Sequence, residues 1–279
     1  MSKVFNLTLI LFTILLPVKA ITQEAYQLSM LPRYSYEEIN KRITPLAVYL
    51  SKKVNLVIEP VVINNFTQYE RQLKNGVIEL GYENPYIYVL VSQTHEVLAM
   101  ALKGKGKDKF RGIIIVKSDS DIASVKDLKN KKISIVGKTS AGGYLSQKLT
   151  LMENNIDVEK DCEISEAIDN KQENVIFAVY TGDADAGFIR ESALHRIDKF
   201  IPAASIKVIN KSAWLPNWAL SVKRSLARDK KEALRKALID LKKDDPVIKS
   251  LKIIKFRSAE DKEYDSVRKA SEMDIPKRN

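Results

Sequence analysis

A short loop between a predicted strand and a predicted helix carries the residues best suited to binding an anion. Thr139, Ser140, Ala141 and Gly142 follow the apolar run at residues 133–136 and precede apolar residues at helical spacing. The first N–H groups of a helix lack backbone acceptors, and the helix dipole is positive there, so they can bind an anion. The hydroxyl groups of Thr139 and Ser140 add donors, and glycine lets a ligand approach the backbone. The alternative is a plain N-cap, in which a hydroxyl serves only its own helix.

Three further candidates follow other predicted strands. Tyr34 comes after the first strand, and Asn84 and Tyr86 come after the third. Alternating strands and helices predict a parallel sheet, and open sheets of this kind bind ligands at the carboxyl ends of their strands. The alternative for both tyrosines is ordinary packing at the base of a loop. We favour a pocket because both lie at the same edge of the predicted sheet.

Arg190 follows a predicted strand at residues 184–189 and is the one cation placed among the candidates. A guanidinium group can bind an oxyanion through two parallel hydrogen bonds. The alternative is a salt bridge to a neighbouring acid such as Glu191 or Asp185. Trp218, by contrast, is expected to pack where the chain returns between lobes and not to contact a ligand.

Composition excludes several classes of site. The chain has a net charge of +11, but its basic clusters lack the aromatic interleaving of a nucleic-acid interface. A single cysteine, Cys162, and the histidines His95 and His195 make a metal site improbable on composition, and we expect no cofactor. Ser140 has no identifiable histidine partner, and no hydrolase or metalloprotease motif occurs. The loop also lacks the Lys-Ser/Thr ending of a P-loop. We therefore expect a binding protein and not an enzyme.

The N-terminus has the pattern of an export signal. Lys3 gives a basic start, residues 7–16 are apolar, and Ala20 ends a small-residue cleavage pattern. The apolar run is too short to span a bilayer. Residues 1–20 are therefore predicted to be a cleaved signal peptide, and the mature protein is predicted to be periplasmic.

The rest of the chain is predicted to form an α/β protein with two lobes. Strand–helix alternation occurs before residue 118 and restarts after it, with no low-complexity linker between. A polar segment rich in Gly and Lys, before the strand at residues 112–116, is interpreted as a hairpin within the first lobe. The predicted crossings lie near Lys117 and Leu215, which assigns residues 21–117 and 215–279 to lobe 1 and residues 118–214 to lobe 2.

Several motifs occur in an order that points to a known family. They are PRYSYEEI, GYENPYIYV, TSAGGYL, GDADAGFIR and LPNWALSVK, and the likeness runs from about Tyr26 to Leu241. In this order the chain resembles phosphate/phosphite/phosphonate ABC-transporter substrate-binding proteins. The resemblance implies the type II periplasmic binding-protein fold, with two parallel-type sheets, helices on both faces and two crossover segments. It also implies a small anionic ligand of the phosphate or phosphonate kind, closure of the lobes over it, and no enzymatic activity.

The resemblance also assigns roles to residues. The TSAGG loop, with Thr139 to Gly142, matches the family's oxyanion-binding helix start, Tyr34 matches its aromatic wall, and Asn84 and Tyr86 match the position after the third strand. The stretch after Gly187 is more similar to periplasmic sensor domains of two-component kinases. The expected partner is accordingly an ABC permease in the inner membrane or, as the alternative, a membrane histidine kinase. We expect a monomer that binds no nucleic acid.

Overall fold

The computed structural model describes residues 25–104 and 107–276 of the chain. In chain order its strands are β1 (Ala25–Met30), β2 (Val57–Val61), β3 (Leu80–Glu83), β4 (His95–Leu102), β5 (Lys109–Lys117), β6 (Lys132–Ile135), β7 (Glu163–Glu166), β8 (Ala186–Arg190), β9 (Ile206–Pro216), β10 (Ala219–Lys223) and β11 (Lys255–Ser258). The α-helices are α1 (Tyr36–Val54), α2 (Phe66–Lys74), α3 (Pro85–Val91), α4 (Ser146–Glu153), α5 (Val158–Asp161), α6 (Gln172–Thr181), α7 (Arg228–Asp240), α8 (Pro246–Leu251) and α9 (Asp265–Ala270). The predicted signal peptide lies outside the described residues.

The strands form two separate sheets, each the centre of one lobe. The first sheet has the order β11-β4-β10-β3-β1-β2 and the second the order β7-β6-β8-β5-β9. β1 pairs in parallel with β2 and β3, and β6 pairs in parallel with β7 and β8. The strands nearer the crossings, β10 and β5, run antiparallel to their neighbours. The two-lobed α/β fold is therefore confirmed, with sheets that are parallel at one side and antiparallel at the other.

Local sequence explains where the helices beside the candidate residues begin. The Ser35 hydroxyl accepts from the N–H of Glu38 and starts α1, and the Asn84 side chain accepts from the N–H of Ile87 and starts α3. Pro85 occupies the first turn of α3, where its missing N–H costs nothing. Asn84 directly follows β3, and Ser35 follows β1 after a loop of four residues, so Tyr34 and Asn84 are held at the carboxyl edge of the first sheet.

The first crossing between the lobes lies earlier than the sequence predicted. The whole of β5 pairs within the second sheet, so the chain leaves the first sheet between Leu102 and Lys109 and not near Lys117. The segment between β4 and β5 resembled a hairpin because it is polar and rich in glycine. Within the described residues, however, only an isolated bridge between Lys103 and Lys107 joins its two sides. The return lies between β9 and β10, next to the predicted position at Leu215.

The C-terminal segment also departs from its predicted place. We expected all of residues 215–279 in the first lobe, but α9 packs against α3 of that lobe and against α4 and β9 of the second. The Tyr264 ring lies 4.5 Å from that of Tyr88, and its hydroxyl donates to the carbonyl oxygen of Asn217 in the return crossing. Apolar side chains such as Val267 recruit the segment to an interlobe cluster, which local sequence patterns do not reveal.

The described helices give no sign of a membrane span. None of them combines the length with the apolar character that crossing a bilayer requires.

Candidate functional site

A cleft of about 640 Å³ lies between the lobes at the carboxyl ends of β1, β3, β6 and β8. Because the parallel strands of each sheet end at a common edge, the loops that follow them face this cleft. All but one of the candidate residues from the sequence line it, namely Tyr34, Asn84, Thr139, Ser140, Ala141, Gly142 and Arg190. The cleft therefore brings together segments more than 150 positions apart in the chain, such as Tyr34 and Arg190.

Tyr86 is the candidate that does not line the cleft. It lies in the first turn of α3, and its half-buried ring packs against the apolar clusters of the protein. Tyr86 follows the cap residue Asn84 by two positions, so the two side chains lie on different sides of the helix. The structure thus places Tyr86 in the packing role that was its alternative.

On the second-lobe side, the TSAGG loop forms a helical turn, Ala141–Leu145, that continues directly into α4. The Ser140 hydroxyl accepts from the N–H of Gly143 at 3.1 Å, so the cap interpretation holds for this residue. The N–H groups of Ala141 and Gly142 have no acceptor within the described chain, and neither does the Thr139 hydroxyl. The turn therefore presents unused backbone donors to the cleft, and the O–H groups of Thr139 and Ser140 both remain able to donate.

The position of this turn is fixed from beneath by Gln147. Its fully buried amide nitrogen lies within hydrogen-bonding distance of the carbonyl oxygens of Gly142, Ile113 and Ile189, which ties the turn to β5 and β8. A Cβ atom at Gly142 would lie 3.1 Å from side-chain atoms of both Phe110 and Arg190. Glycine suits this position because the turn packs closely on the residue that ends β8, and a larger residue would require Phe110 or Arg190 to shift by a few tenths of an ångström.

Arg190 is the central cation of the second-lobe wall. Its guanidinium carbon lies 4.0 Å from the centroid of the Phe110 ring. The acids proposed as its alternative partners are engaged elsewhere, since Glu191 pairs with Arg111 through two hydrogen bonds and Asp185 accepts from the N–H of Lys132. Desolvation and then the nearby charge of Arg33 lower the pKa of Arg190 to about 10. In the described part of the chain Arg190 thus keeps its charge without a carboxylate partner.

On the first-lobe side, the rings of Tyr34 and Trp218 and a second arginine, Arg33, line the cleft. Two guanidinium groups lie near the Tyr34 ring. The carbon of the Arg42 group is 4.2 Å from the ring centroid, and that of the Arg33 group is 5.4 Å from it. Trp218, which is 2 % exposed, both packs in the first-lobe core and lines the cleft. The sequence assigned Trp218 to packing alone. Asn84 uses its oxygen as the cap of α3, which leaves its amide N–H groups for the cleft.

Sequence reasoning missed a further cation, Lys103, which lies beside this wall without being one of its lining residues. Its ammonium nitrogen lies 5.2 Å from the centroid of the Trp218 ring, and Arg33 lies over the same ring at 5.6 Å. Desolvation, with the repulsion of Arg190 and Arg33 next in size, lowers the pKa of Lys103 to about 7. The signal that could have found it is its place at the end of β4, directly before the crossing.

Cations at the rim of the cleft are arranged differently. Arg196 pairs with Glu173 at 3.2 Å and Lys171 with Asp169 at 2.9 Å. These acids are the carboxylates among the lining residues, and both are already paired. No group of His, Cys, Asp and Glu side chains among residues 25–104 and 107–276 has the arrangement of a metal site. Arg190 and the unused backbone donors of the helical turn suit the binding of an anion.

Comparison with known proteins places this cleft in context. A family model described as the periplasmic substrate-binding protein of a phosphonate ABC transporter matches residues 28–264. The phosphate-import protein PhnD of Mycolicibacterium smegmatis is 22% identical over 188 residues, which cover 63% of this chain and 59% of that protein. The match thus spans less than two thirds of the length of that relative.

Solved structures share the fold at low sequence identity. A Xanthomonas citri protein bound to ATP superposes with a TM-score of 0.75 at 17% identity, covering 89% of this chain and 98% of that one. PhnD1 from Prochlorococcus marinus in complex with methylphosphonate gives a TM-score of 0.69 at 15% identity, covering 89% and 97%.

Proposed function

Because the chain belongs to the family of periplasmic substrate-binding proteins of phosphonate ABC transporters, we propose that it captures a phosphate- or phosphonate-like oxyanion between its lobes. The observation that carries this proposal is the convergence of Arg190 with the unused donors of Thr139, Ala141 and Gly142. A guanidinium group and several N–H donors fixed in one place suit a tetrahedral oxyanion, whose oxygens accept from several directions.

The roles of the lining residues follow from their positions. Arg190 supplies the charge, the helical turn supplies backbone donors, and Thr139 supplies a hydroxyl donor. From the first lobe, Asn84 donates through its amide and Tyr34 closes the side of the pocket. Ser140 acts mainly by capping the turn that carries the donors.

Isothermal titration calorimetry on the purified protein tests the proposal. The panel contains phosphate, phosphite, methylphosphonate, sulfate, acetate and ATP, the last because a neighbour in fold binds it. We expect saturable binding of at least one of phosphate, phosphite and methylphosphonate, and about tenfold or more weaker binding of acetate. Binding of acetate or ATP alone would contradict the proposal.

Ligand capture is proposed to close the lobes, since the chain passes between the two sheets only through the short connections from β4 to β5 and from β9 to β10, which can act as hinges. Small-angle scattering with and without saturating methylphosphonate or phosphate should give a smaller radius of gyration for the bound protein. An unchanged radius at saturation would contradict closure.

Delivery to an ABC permease in the inner membrane is proposed from the family, together with a periplasmic location and a monomeric state. No observation favours presentation to a histidine kinase. We also propose that binding occurs without catalysis. Phosphorus NMR should accordingly find methylphosphonate unchanged after prolonged incubation with the protein.

A further inference from the structure

The cations in and beside the cleft differ in how their positive charge is compensated. At the rim, Arg196 and Lys171 are each paired with a carboxylate. Arg33, which is also exposed, and Arg190 line the cleft without a carboxylate partner among the described residues, and so does Lys103 beside them. Each of these three cations lies instead over the face of an aromatic ring.

An aromatic face and a carboxylate hold a cation with different consequences. A ring attracts the cation through its quadrupole, but it carries no net charge. The cation is therefore positioned while its capacity to pair with an anion is retained. Phe110 holds Arg190 in this way, and Trp218 holds both Arg33 and Lys103.

The positive charge also exceeds what one oxyanion head can neutralise. A phosphonate or phosphate head carries at most about two negative charges near neutral pH. Arg190 and the helical turn of the second lobe are sufficient to bind one such head. Arg33 and Lys103, grouped on Trp218 at the opposite wall, then remain without an anion.

The described lining of the cleft has no unpaired carboxylate that could attract an ammonium group on the ligand. Among the described residues that line the cleft, Asp169 and Glu173 are the acids, and both are paired at the rim. An amine-bearing ligand would instead bring its charge close to Arg33 and Lys103. Like charges brought close together in a partly desolvated cleft repel each other, which disfavours such a ligand.

We infer that the preferred ligand of this cleft is an organic phosphonate or phosphate ester that carries a second acidic group and no ammonium group. Its phosphorus head binds Arg190 and the helical turn, and its second acid binds Arg33 beside Trp218, where the charge of Lys103 on the same ring adds attraction. This inference rests on the proposed function and specifies the substrate class of the same site.

Matched pairs of phosphonates test it by calorimetry near neutral pH. Phosphonoacetate is compared with ethylphosphonate, which lacks the carboxylate, and aminomethylphosphonate with methylphosphonate, which lacks the amine. We expect the dissociation constant of phosphonoacetate to be lower than that of ethylphosphonate by about tenfold or more, which is the ratio for one charge-assisted hydrogen bond. We expect aminomethylphosphonate to bind about tenfold or more weakly than methylphosphonate.

Two variants locate the effect. Arg33→Gln should reduce the ratio between phosphonoacetate and ethylphosphonate toward one. The matched control Arg196→Gln removes a rim arginine that is paired with Glu173, and it should keep the wild-type ratio. Thermal melts of both variants check that they are folded.

The outcomes separate the inference from the proposed function. Equal binding of phosphonoacetate and ethylphosphonate, or tighter binding of aminomethylphosphonate, would overturn the inference while leaving oxyanion capture intact. An equal loss of the ratio in both variants would also overturn it, since the effect would then come from net charge. If no phosphonate and no inorganic phosphorus oxyanion binds at all, the proposed function itself fails.

Discussion

The two walls of the cleft provide positive potential by different means. On the second-lobe wall, backbone N–H groups of a helical turn stand beside Arg190, and Gln147 fixes the turn to two strands. On the first-lobe wall, the side chains of Arg33 and Lys103 lie on the Trp218 ring. The first arrangement is built into the backbone, whereas the second depends on long side chains over an aromatic platform.

This difference indicates that the two walls contribute differently to the affinity and to the selectivity of binding. Backbone donors at a helix start need little reorganisation when an anion arrives, so we expect the second lobe to contribute most of the affinity. Side chains on a ring can shift to suit groups of different size. The first lobe is therefore expected to contribute selectivity, and each prediction below tests one side of this division.

The largest effect is expected from Arg190. Arg190→Gln leaves a ligand anion without its charged partner in a half-buried site, and loss of such a partner costs about 2–5 kcal/mol. The dissociation constant for methylphosphonate or phosphate should therefore rise by roughly two orders of magnitude or more. Arg190→Lys keeps the charge but not the planar fork, and it should recover part of the loss. A change of less than about threefold in Arg190→Gln, measured by calorimetry, would assign the affinity to the other wall.

A smaller effect separates donation from capping within the TSAGG loop. Thr139→Val removes a hydroxyl that has no partner in the described chain, and it should weaken binding by about one order of magnitude at unchanged stability. Ser140→Ala removes the acceptor of the Gly143 N–H and should lower the free energy of unfolding by about 1 kcal/mol. Calorimetry and thermal melts on both variants check this contrast. The reverse pattern would mean that Ser140 and not Thr139 contacts the anion.

The smallest effect concerns the protonation of Lys103. The pKa of Lys103 in the free protein is about 7, below the usual value of 10.5. Between pH 7 and pH 10.5 the lysine is therefore mostly neutral in the free protein, whereas a bound anion favours its protonated form. Binding at pH 8 should thus take up a proton, and affinity should fall as pH rises through this window. Below about pH 7 no uptake is expected, because Lys103 is already charged.

Calorimetry in buffers of different ionisation enthalpy measures this proton uptake. Lys103→Met is the control, because the ligand's own ionisation is the same in both proteins and cancels in the difference. The repulsion acting on Lys103 comes from Arg190, Arg33 and Arg42, whose charges are unchanged in this variant. Equal uptake by wild type and Lys103→Met at pH 8 would mean that the first-lobe wall does not pair its lysine with the ligand.

The sequence predicted the second-lobe wall better than the first, and the reason is physical. A strand, a small polar loop and a helix start form a contiguous pattern, so Thr139 to Gly142 could be placed at the mouth of a sheet. Arg190 could be placed because it ends a strand adjacent to that loop. The partners that make Arg33 and Lys103 significant, above all Trp218, lie more than 100 positions away in the chain.

The fold shows the same limit. Alternation of strands and helices correctly predicted two α/β lobes. It could not reveal that β5 pairs with β8 and β9, because a strand carries no local mark of its sheet. Nor did a local pattern distinguish Tyr86, which packs inside, from Tyr34 and Asn84, which line the cleft.

The C-terminal segment has a consequence for how the protein loses its structure. Tyr264, Val267 and Ala270 share one apolar cluster with Tyr88 of the first lobe and Leu149 of the second. Unfolding of either lobe would therefore expose apolar surface that belongs to the other, at a cost of about 25 cal/mol per Å². Such shared surface couples the melting of the two lobes. Calorimetric scans should accordingly record a single heat-absorption peak with equal calorimetric and van't Hoff enthalpies, although the chain is folded around two sheets.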